Sequence, residues 1–534
     1  MLRYMAVVGA LCAAWAPFRS GGVPRPEADA TVIALAVGVV LAAALAVTGG
    51  RAVRVFAAVA ASASAVAVWW LLVSDLLTGL TGADLPVLAV GSLAVAVGAI
   101  VSAVRRSPDA REQPEPLDGA PRPRSDRWRA WSGGVLVVVV VAVAAALAPI
   151  GAEAVIVRSE VRDARDYEPE PVPERPGGRQ WAWQPPADVV EVAPVRHGVA
   201  VATRDGAVVA LNGVGGHVEW RYARPGAWPG TLVASTDRRT VVVTFRSARD
   251  TRAQSVVVLD ADTGAPRFDL VVRSALVETG QLMPGARTLM VRDGEVLTGY
   301  DIDTGESRWQ WSTPAGCTSW YGQVAWGRTA ALLPVECPDA LGVTALDEAT
   351  GRERWRHEVP RDPAADRQEV RLDGTPDGTA VRFQAFGART DPDGLLDAET
   401  GRVLARPERP WTVRTDVGAT PLVEEDDGGR LVGVLALDPA TGATTRLSLD
   451  ACPQRTADLT TRTTYVRACG DTGRELTVVT QPLDGSPPES TPVRLDGSGT
   501  RARSDVRLVA APGAIVLTRV AFGGTPAPVV GLTG

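Results

Sequence analysis

The chain has 534 residues, enough for more than one domain, with a formal net charge of −6 and an isoelectric point near 5.4. That balance argues against a nucleic-acid binder, whose electrostatic footprint is a basic patch. All 55 basic residues are arginine, a usage that fits a high-G+C bacterial genome.

Composition splits the chain near residue 150. The first part is dominated by Ala, Val and Leu, and the remainder by Asp, Arg, Thr, Gly and Trp, so two different solvents are implied. Residues 4–15 form a short apolar stretch, either a first helix or an uncleaved signal-like segment, since Pro17 after Ala14-Trp15-Ala16 disfavours cleavage there. Stretches 31–48, 53–74, 85–104 and 133–150 are each apolar over about the 20 residues that cross a bilayer. Residues 1–150 therefore read as a transmembrane bundle of four or five helices. Gly and Ala recur within it, as in helices that pack closely in lipid. Trp69 and Trp70 read as packing or interfacial anchors, and Asp75, at a helix end, is the ionisable group nearest the membrane interior.

Orientation follows from the arginines. The loop 105–131 holds Arg105, Arg106, Arg111, Arg122, Arg124, Arg127 and Arg129, whereas the loop around residues 78–84 has no basic residue. Arginine-rich loops stay in the cytoplasm, so the last helix runs outward; Arg51 and Arg54 agree, and Arg19 and Arg25 run against the rule in a five-helix arrangement. The expected localisation is the plasma membrane, multi-pass, with the C-terminal part extracytoplasmic. Residues 151–178, polar and Pro-rich, read as an extended stalk.

Residues 179–534 carry an internal repeat. An apolar run ends in Leu-Asp or Tyr-Asp and is followed by x-x-Thr-Gly. Its full copies are Asp260, Thr263 and Gly264; Asp301, Thr304 and Gly305; Asp347, Thr350 and Gly351; Asp397, Thr400 and Gly401; and Asp438, Thr441 and Gly442. Degenerate copies stand at Leu211–Gly216, Leu483–Gly485 and Leu532–Gly534. From one marker residue to the next the steps are 48, 41, 46, 50, 41, 46 and 49 residues, the length of a four-stranded propeller blade. Asp and Thr can hydrogen-bond their own backbone in the turn from third to fourth strand, and Gly accepts positive φ. Four residues after the Gly stands a ring, Trp220, Phe268, Trp309 or Trp355, expected to pack on the adjacent blade. The last marker has no strand after it, and Arg179-Gln-Trp181-Ala-Trp183, which matches Ser307-Arg-Trp309-Gln-Trp311, supplies one. The fold class is thus an α-helical transmembrane bundle followed by an all-β, eight-bladed propeller, or seven-bladed if residues 451–495 do not form a blade.

This repeat resembles the quinoprotein, or PQQ-like, β-propeller family, whose signature is similar to Asp-x-x-Thr-Gly-x-x-x-Trp; the resemblance covers about Gly177 to Gly534. The family includes quinone-dependent dehydrogenases, BamB-type assembly scaffolds and many anchored domains. The dehydrogenases hold their quinone beside a disulfide between adjacent cysteines, with a metal and a catalytic Asp. No two cysteines here are adjacent. PQQ is not expected, no other cofactor is assigned, and no catalytic or metal residue can be placed.

Cys12 lies in the first apolar stretch. The other four cysteines form pairs separated by 20 and 17 residues, each beginning shortly after a Thr-Gly turn. Cys317–Cys337 and Cys452–Cys469 are therefore expected as within-blade disulfides of an oxidising compartment; a zinc site lacks its Cys-x₂₋₄-Cys spacing. His197, His217 and His357 fall at different repeat positions, which disfavours a shared cluster, and the acidic run Glu424–Asp427 reads as a solvated hairpin tip. The functional expectation is a binding or scaffold module for an extracytoplasmic protein, peptide or glycan. The alternatives are a cofactor enzyme and a ligand sensor coupled to the helices.

Overall fold

A computed structural model describes residues 2–19, 29–104, 125–164, 168–176, 179–247, 254–272, 282–293, 296–319, 324–389, 393–406, 412–427, 430–452, 454–470, 475–495, 505–520 and 525–534. The chain divides into two compact units, one helical and one built of strands.

The helical unit contains α1 (Leu2–Trp15), continued by a 3-10 turn (Ala16–Arg19), then α2 (Asp29–Thr48), α3 (Arg51–Leu76), α4 (Asp84–Val104) and α5 (Ser125–Ile156). Four helical segments are long and apolar enough to cross a membrane: Ala30–Thr48, Arg51–Leu76, Asp84–Val104 and Val135–Ile156. The first helix is shorter, and it belongs to the bundle, with Ala6 and Ala13 buried in the shared core. It lies against α4 through two glycines. A Cβ on Gly9 would stand 2.7 Å from the Gly91 carbonyl oxygen, and one on Gly91 2.8 Å from the Gly9 oxygen. Only the absence of both side chains lets the backbones approach that closely. Asp75, at the end of α3, and Asp84, at the start of α4, are fully buried. The last helix begins at Ser125 rather than 133 and ends at Ile156 rather than 150. Hydropathy marks the apolar part of a helix, and the polar turns at either end carry no such signal.

The strand unit is a ring of eight blades. Blades 1 to 7 use strands within 189–223, 227–272, 282–312, 325–360, 369–405, 412–447 and 455–494; blade 8 uses 505–533 together with Arg179–Trp183. Residues 451–495 thus supply a true blade, and eight is the count. The early strand pairs antiparallel with Val529–Thr533, Trp181 opposite Gly531, so the two ends of the propeller chain share one sheet. First strands of neighbouring blades approach one another, as Arg455–Thr460 of blade 7 does Asp505–Ala511 of blade 8, and they line the axis.

Two short segments precede the ring. Arg158–Glu160 adds a fifth strand to the outer edge of blade 1. Arg162 forms an ion pair with Glu219, and its N–H donates to the Thr263 carbonyl. The described Pro-rich residues lie on the propeller. The Gly513 N–H donates to the Pro171 carbonyl, Val172 packs among apolar side chains of blades 7 and 8, and Glu174 accepts the Thr461 and Thr463 hydroxyls.

The repeat turn works as its residue types require. Asp260 Oδ1 accepts the N–H groups of Asp262 and Thr263 at 3.0 and 2.9 Å and the Thr263 hydroxyl at 3.0 Å, while the Gly264 N–H donates to the Asp260 carbonyl at 2.8 Å. Asp347 and Asp438 hold their turns by the same kind of bonds. At Thr400 both the N–H and the hydroxyl donate to Asp397 Oδ1, each at 2.8 Å. Thr304 departs a little from this pattern. Its N–H donates to Asp301 Oδ1 at 3.0 Å and its hydroxyl accepts the Glu306 N–H at 3.3 Å, as the other four threonines accept the N–H two residues on, but without their hydroxyl bond to the aspartate. Burial would raise the Asp347 carboxyl, but the Thr350 hydroxyl and Arg354 hold it below the usual carboxylate range. Thr441 does the same for Asp438.

Each ring expected to pack on the next blade covers that blade's Thr-Gly glycine. Trp220 lies on Gly264, Phe268 on Gly305, Trp309 on Gly351 and Trp355 on Gly401, and Trp181 of the closing strand lies on Gly216. A Cβ at any of these glycines would meet the ring at 2.7 Å or less. The indole N–H groups of Trp181, Trp220 and Trp309 donate to backbone carbonyls at 2.7, 2.8 and 3.0 Å. A register shift between third and fourth strands recurs in blades 1 to 5. Such a bulge re-aims the side chains that follow it.

Both expected disulfides form, Cys317–Cys337 and Cys452–Cys469. Each ties the segment entering a blade, 4 or 7, to the end of that blade's second strand.

Candidate functional site

The ring-on-glycine seam stops after blade 5. The positions four residues past the glycine become Ala405, Arg446 and Glu489, and a Cβ at Gly442 would have nothing within 4 Å. Blades 6 and 7 also lack the bulge between third and fourth strands. A second kind of seam stands there, nearer the axis.

Its members come from the first two strands of each blade. Blade 6 contributes Arg414 from Thr412–Arg414, Asp416 just beyond it, and Glu424 from Leu422–Asp427. Blade 7 contributes Arg455 and Asp458 from Arg455–Thr460, with Tyr465 and Arg467 from Thr464–Cys469. Arg414 bridges the blades, with Nη1 3.2 Å from Glu424 and 3.1 Å from Asp458, and Nη2 3.0 Å from Asp416. Arg455 does so from the other side, 2.9 Å from Glu424 and 2.8 Å from Asp458. The Tyr465 hydroxyl donates to Asp458 at 2.9 Å and accepts from Arg455 at 3.0 Å. Asp458 thus serves two guanidinium groups and a phenol.

Arg467 is fully buried beneath them. It donates to the Ser448 carbonyl at 2.6 Å and to Gln481 Oε1 at 3.1 Å, and its guanidinium lies 4.9 Å from the Tyr465 ring centroid. Ser448 belongs to the connection that Cys452–Cys469 pins down, so the disulfide steadies the carbonyl to which Arg467 donates. The seam continues to blade 5, where the Thr415 hydroxyl donates to the Asp373 carbonyl at 2.5 Å. Arg382 pairs with Asp393 at 2.8 Å there and stands 3.9 Å from Asp373.

The electrostatics favour fixed charge. Burial opposes the charged forms of Arg414 and Arg455, yet Asp416, Asp458 and Glu424 around Arg414, and Tyr465, Asp458 and Glu424 around Arg455, outweigh it and push both above the usual arginine range. Burial, then Asp458, drives the Tyr465 hydroxyl well above the ordinary phenol range, so it stays protonated as a donor. Burial lowers Arg467, with Arg455 adding to the effect and Tyr465 and Asp458 only partly opposing it. Three guanidinium groups balance the carboxylates of Asp416, Glu424 and Asp458. Asp416 stays largely exposed, and Arg467 Nε is buried with no hydrogen-bond partner among the described residues. Arg414, Glu424, Arg455 and Asp458 nevertheless satisfy one another, and a paired network of this kind rigidifies and specifies an interface. Asp373 differs, because burial raises its carboxyl, with Asp416 and Asp393 adding to the effect.

The turn residues and cysteines singled out from sequence are spread around the ring as architecture; Thr304 and Thr400, for example, sit in the turns of blades 3 and 5. The acidic run is partly corrected. Glu424 points into the seam and Glu425 pairs with Arg446, while the tip at 428–429 lies outside the described residues. The histidines do not meet: His197 faces Asp262 at 3.4 Å, His217 faces Glu219 at 3.0 Å, and His357 packs edge-on against Phe383. Among the described residues no group of three metal-binding side chains converges. Sequence reading missed Arg414, Asp458, Tyr465 and Arg467. The available signal was negative, the missing ring at Ala405, Arg446 and Glu489.

Residues 204–448 match the family model for the outer membrane protein assembly factor BamB, a span from blade 1 to the end of blade 6. No curated protein matches the chain. Among solved structures, BamB from Moraxella catarrhalis is similar at 18% identity and a TM-score of 0.42, over 66% of this chain and 98% of that one. The quinohemoprotein alcohol dehydrogenase ADHIIG from Pseudomonas putida HK5 is similar at 14% identity and a TM-score of 0.35, over 66% and 75%. The C-terminal WD40 domain of Sif2 is similar at 12% identity and a TM-score of 0.40, over 66% and 97%.

Proposed function

We propose, from a propeller built of PQQ-like, BamB-type repeats, that this chain is a membrane-anchored binding or scaffold module holding an extracytoplasmic protein, peptide or glycan. The observation that carries the reading is the occupation of the axis-lining charges in blades 6 and 7 by one another. A ring sealed in this way offers a rigid frame whose connecting loops are free to vary for recognition. The arginine-rich segment 105–131 between the fourth apolar stretch and the one before it, and the four apolar segments themselves, support a plasma-membrane anchor with the propeller outside.

Chemical crosslinking of the full-length protein in its native membranes, followed by mass spectrometry, tests the reading. A reproducible envelope partner attached at one rim is expected. Crosslinks scattered over both rims to unrelated proteins would sink it. Protease added to intact cells should remove the propeller, and full protection would reverse the topology.

A second reading, an enzyme using a cofactor in the channel, draws on Asp373, whose raised carboxyl stands on the first strand of blade 5. Quinone binding by the purified chain that is lost in Asp373→Asn would favour it.

A further inference from the structure

Along one side of the helical unit runs a groove of about 1120 Å³. Its floor and walls are almost wholly apolar, with Thr31 and Ser62 the polar side chains among its lining. It follows α3 from Val55 to Trp70, roughly 22 Å at 1.5 Å per residue, most of a hydrocarbon core about 30 Å thick. At the Val55 end, Ala103 and Val104 of α4 close the groove.

That end is positively charged. Arg54 reaches across to α4 and donates to the Ser102 carbonyl at 3.3 Å, while its Nε is buried with no hydrogen-bond partner among the described residues. Arg51 stands exposed one turn earlier, and no described acidic side chain pairs with either arginine. An apolar trough with two guanidinium groups at one mouth matches one chemistry, long acyl chains carrying an anionic head. We propose that this groove binds an anionic diacyl phospholipid, with its phosphate at Arg51 and Arg54 and its chains along α3. The proposal rests on the membrane anchoring proposed above.

A second helix fits less well. A helix with its side chains is about 10 Å across and needs a flat seam of small residues. Here Val59, Val66 and Trp70 stand out from the groove at 65%, 71% and 75% exposure, as ribs between which a flexible chain can lie.

The test uses the full-length protein purified in detergent and native mass spectrometry with added phosphatidylglycerol or phosphatidylcholine of identical acyl chains. At roughly a factor of five per arginine, one phosphatidylglycerol should be retained about twenty-five times more tightly. Arg51→Gln/Arg54→Gln should level the two lipids. Ala63→Trp, placed on an exposed position of the groove wall, should lose both. Equal retention by the unaltered chain, or selectivity surviving the double substitution, would overturn the proposal. So would a dimer abolished by Ala63→Trp, which would assign the groove to a second copy. Alkaline carbonate extraction of membranes tests the anchoring separately. Release of the chain would overturn the anchoring whatever the lipid measurement gives.

Discussion

Blades 8 and 1 to 5 are joined by rings laid on glycines, and blades 6 and 7 by ion pairs near the axis. In the first arc the contact lies on the outer strands and uses a large apolar surface, joined at Trp181, Trp220 and Trp309 by an indole hydrogen bond. In the second, Arg414 and Arg455 reach across to carboxylates of both blades. The two seams solve one geometric problem, holding neighbouring sheets in register, with opposite sensitivities. An aromatic seam fails when something fills the space beneath the ring. A charged seam fails when one partner is removed and its counter-charge is stranded.

The largest expected effect therefore falls on Asp458. Asp458→Ala strands two guanidinium groups and the Tyr465 phenol, and breaking a buried pair in this way costs about 3–5 kcal/mol. Thermal unfolding of the purified full chain, followed by tryptophan fluorescence, should show it. An unchanged midpoint would mean that the charged seam contributes nothing. Removing the disulfide with Cys452→Ala/Cys469→Ala should cost roughly 3 kcal/mol on the chain-entropy estimate. It should cost most in the charged region, because it frees the connection whose Ser448 carbonyl accepts from Arg467.

A matched pair of glycine substitutions sharpens the comparison. Gly351 and Gly442 have φ of 65° and 73°, so alanine at either meets the same left-handed penalty, about 1–2 kcal/mol. At Gly351 the new Cβ would also lie 2.6 Å from the Trp309 ring, whereas at Gly442 it meets nothing. Gly351→Ala should be the worse by about 1–3 kcal/mol of overpacking, and equal losses would show that the ring is not a seal.

The smallest effect is in pH dependence, and its sign differs between carboxyls. Asp373 has a folded pKa raised above its unfolded value, so its contribution is present below the ordinary carboxylate range and lost as pH rises through the folded value. Asp347 is held low, so its contribution is present above that range and lost as pH falls. Asp373→Asn should accordingly gain on the unaltered protein as pH rises from about 4 to about 7, on the model-peptide scale where Asp titrates near 3.9. Asp347→Asn should show its full deficit above about pH 4 and recover on the unaltered protein as pH falls below that ordinary carboxylate value. Melting midpoints taken on both sides of about pH 4 distinguish them.

Most of the ring was legible because its cues are local. Asp, Thr and Gly act within one turn, the ring stands four residues on, and each pair of cysteines lies within one blade. The closing strand was legible because Trp181 and Trp183 repeat the pattern of Trp309 and Trp311. The charged seam was not. Arg414 and Asp458 are 44 residues apart, and they meet only because two blades stand side by side. The Pro-rich segment was likewise readable as extended, but not as seated on blade 7 through Glu174, since the threonines it meets lie 287 and 289 residues later.

The closing strand has a consequence for how the protein is made. The Thr533 hydroxyl donates to the carbonyl of Arg179, 354 residues earlier in the chain. At translation rates of roughly 5–20 residues per second, the early strand waits about twenty to seventy seconds for its partner. For that interval Arg179–Trp183 is a naked edge with two indoles and no sheet to join, emerging before any blade of the ring exists. Blade 8 is completed last, so of all the propeller's strands the earliest must be kept from wrong partners the longest.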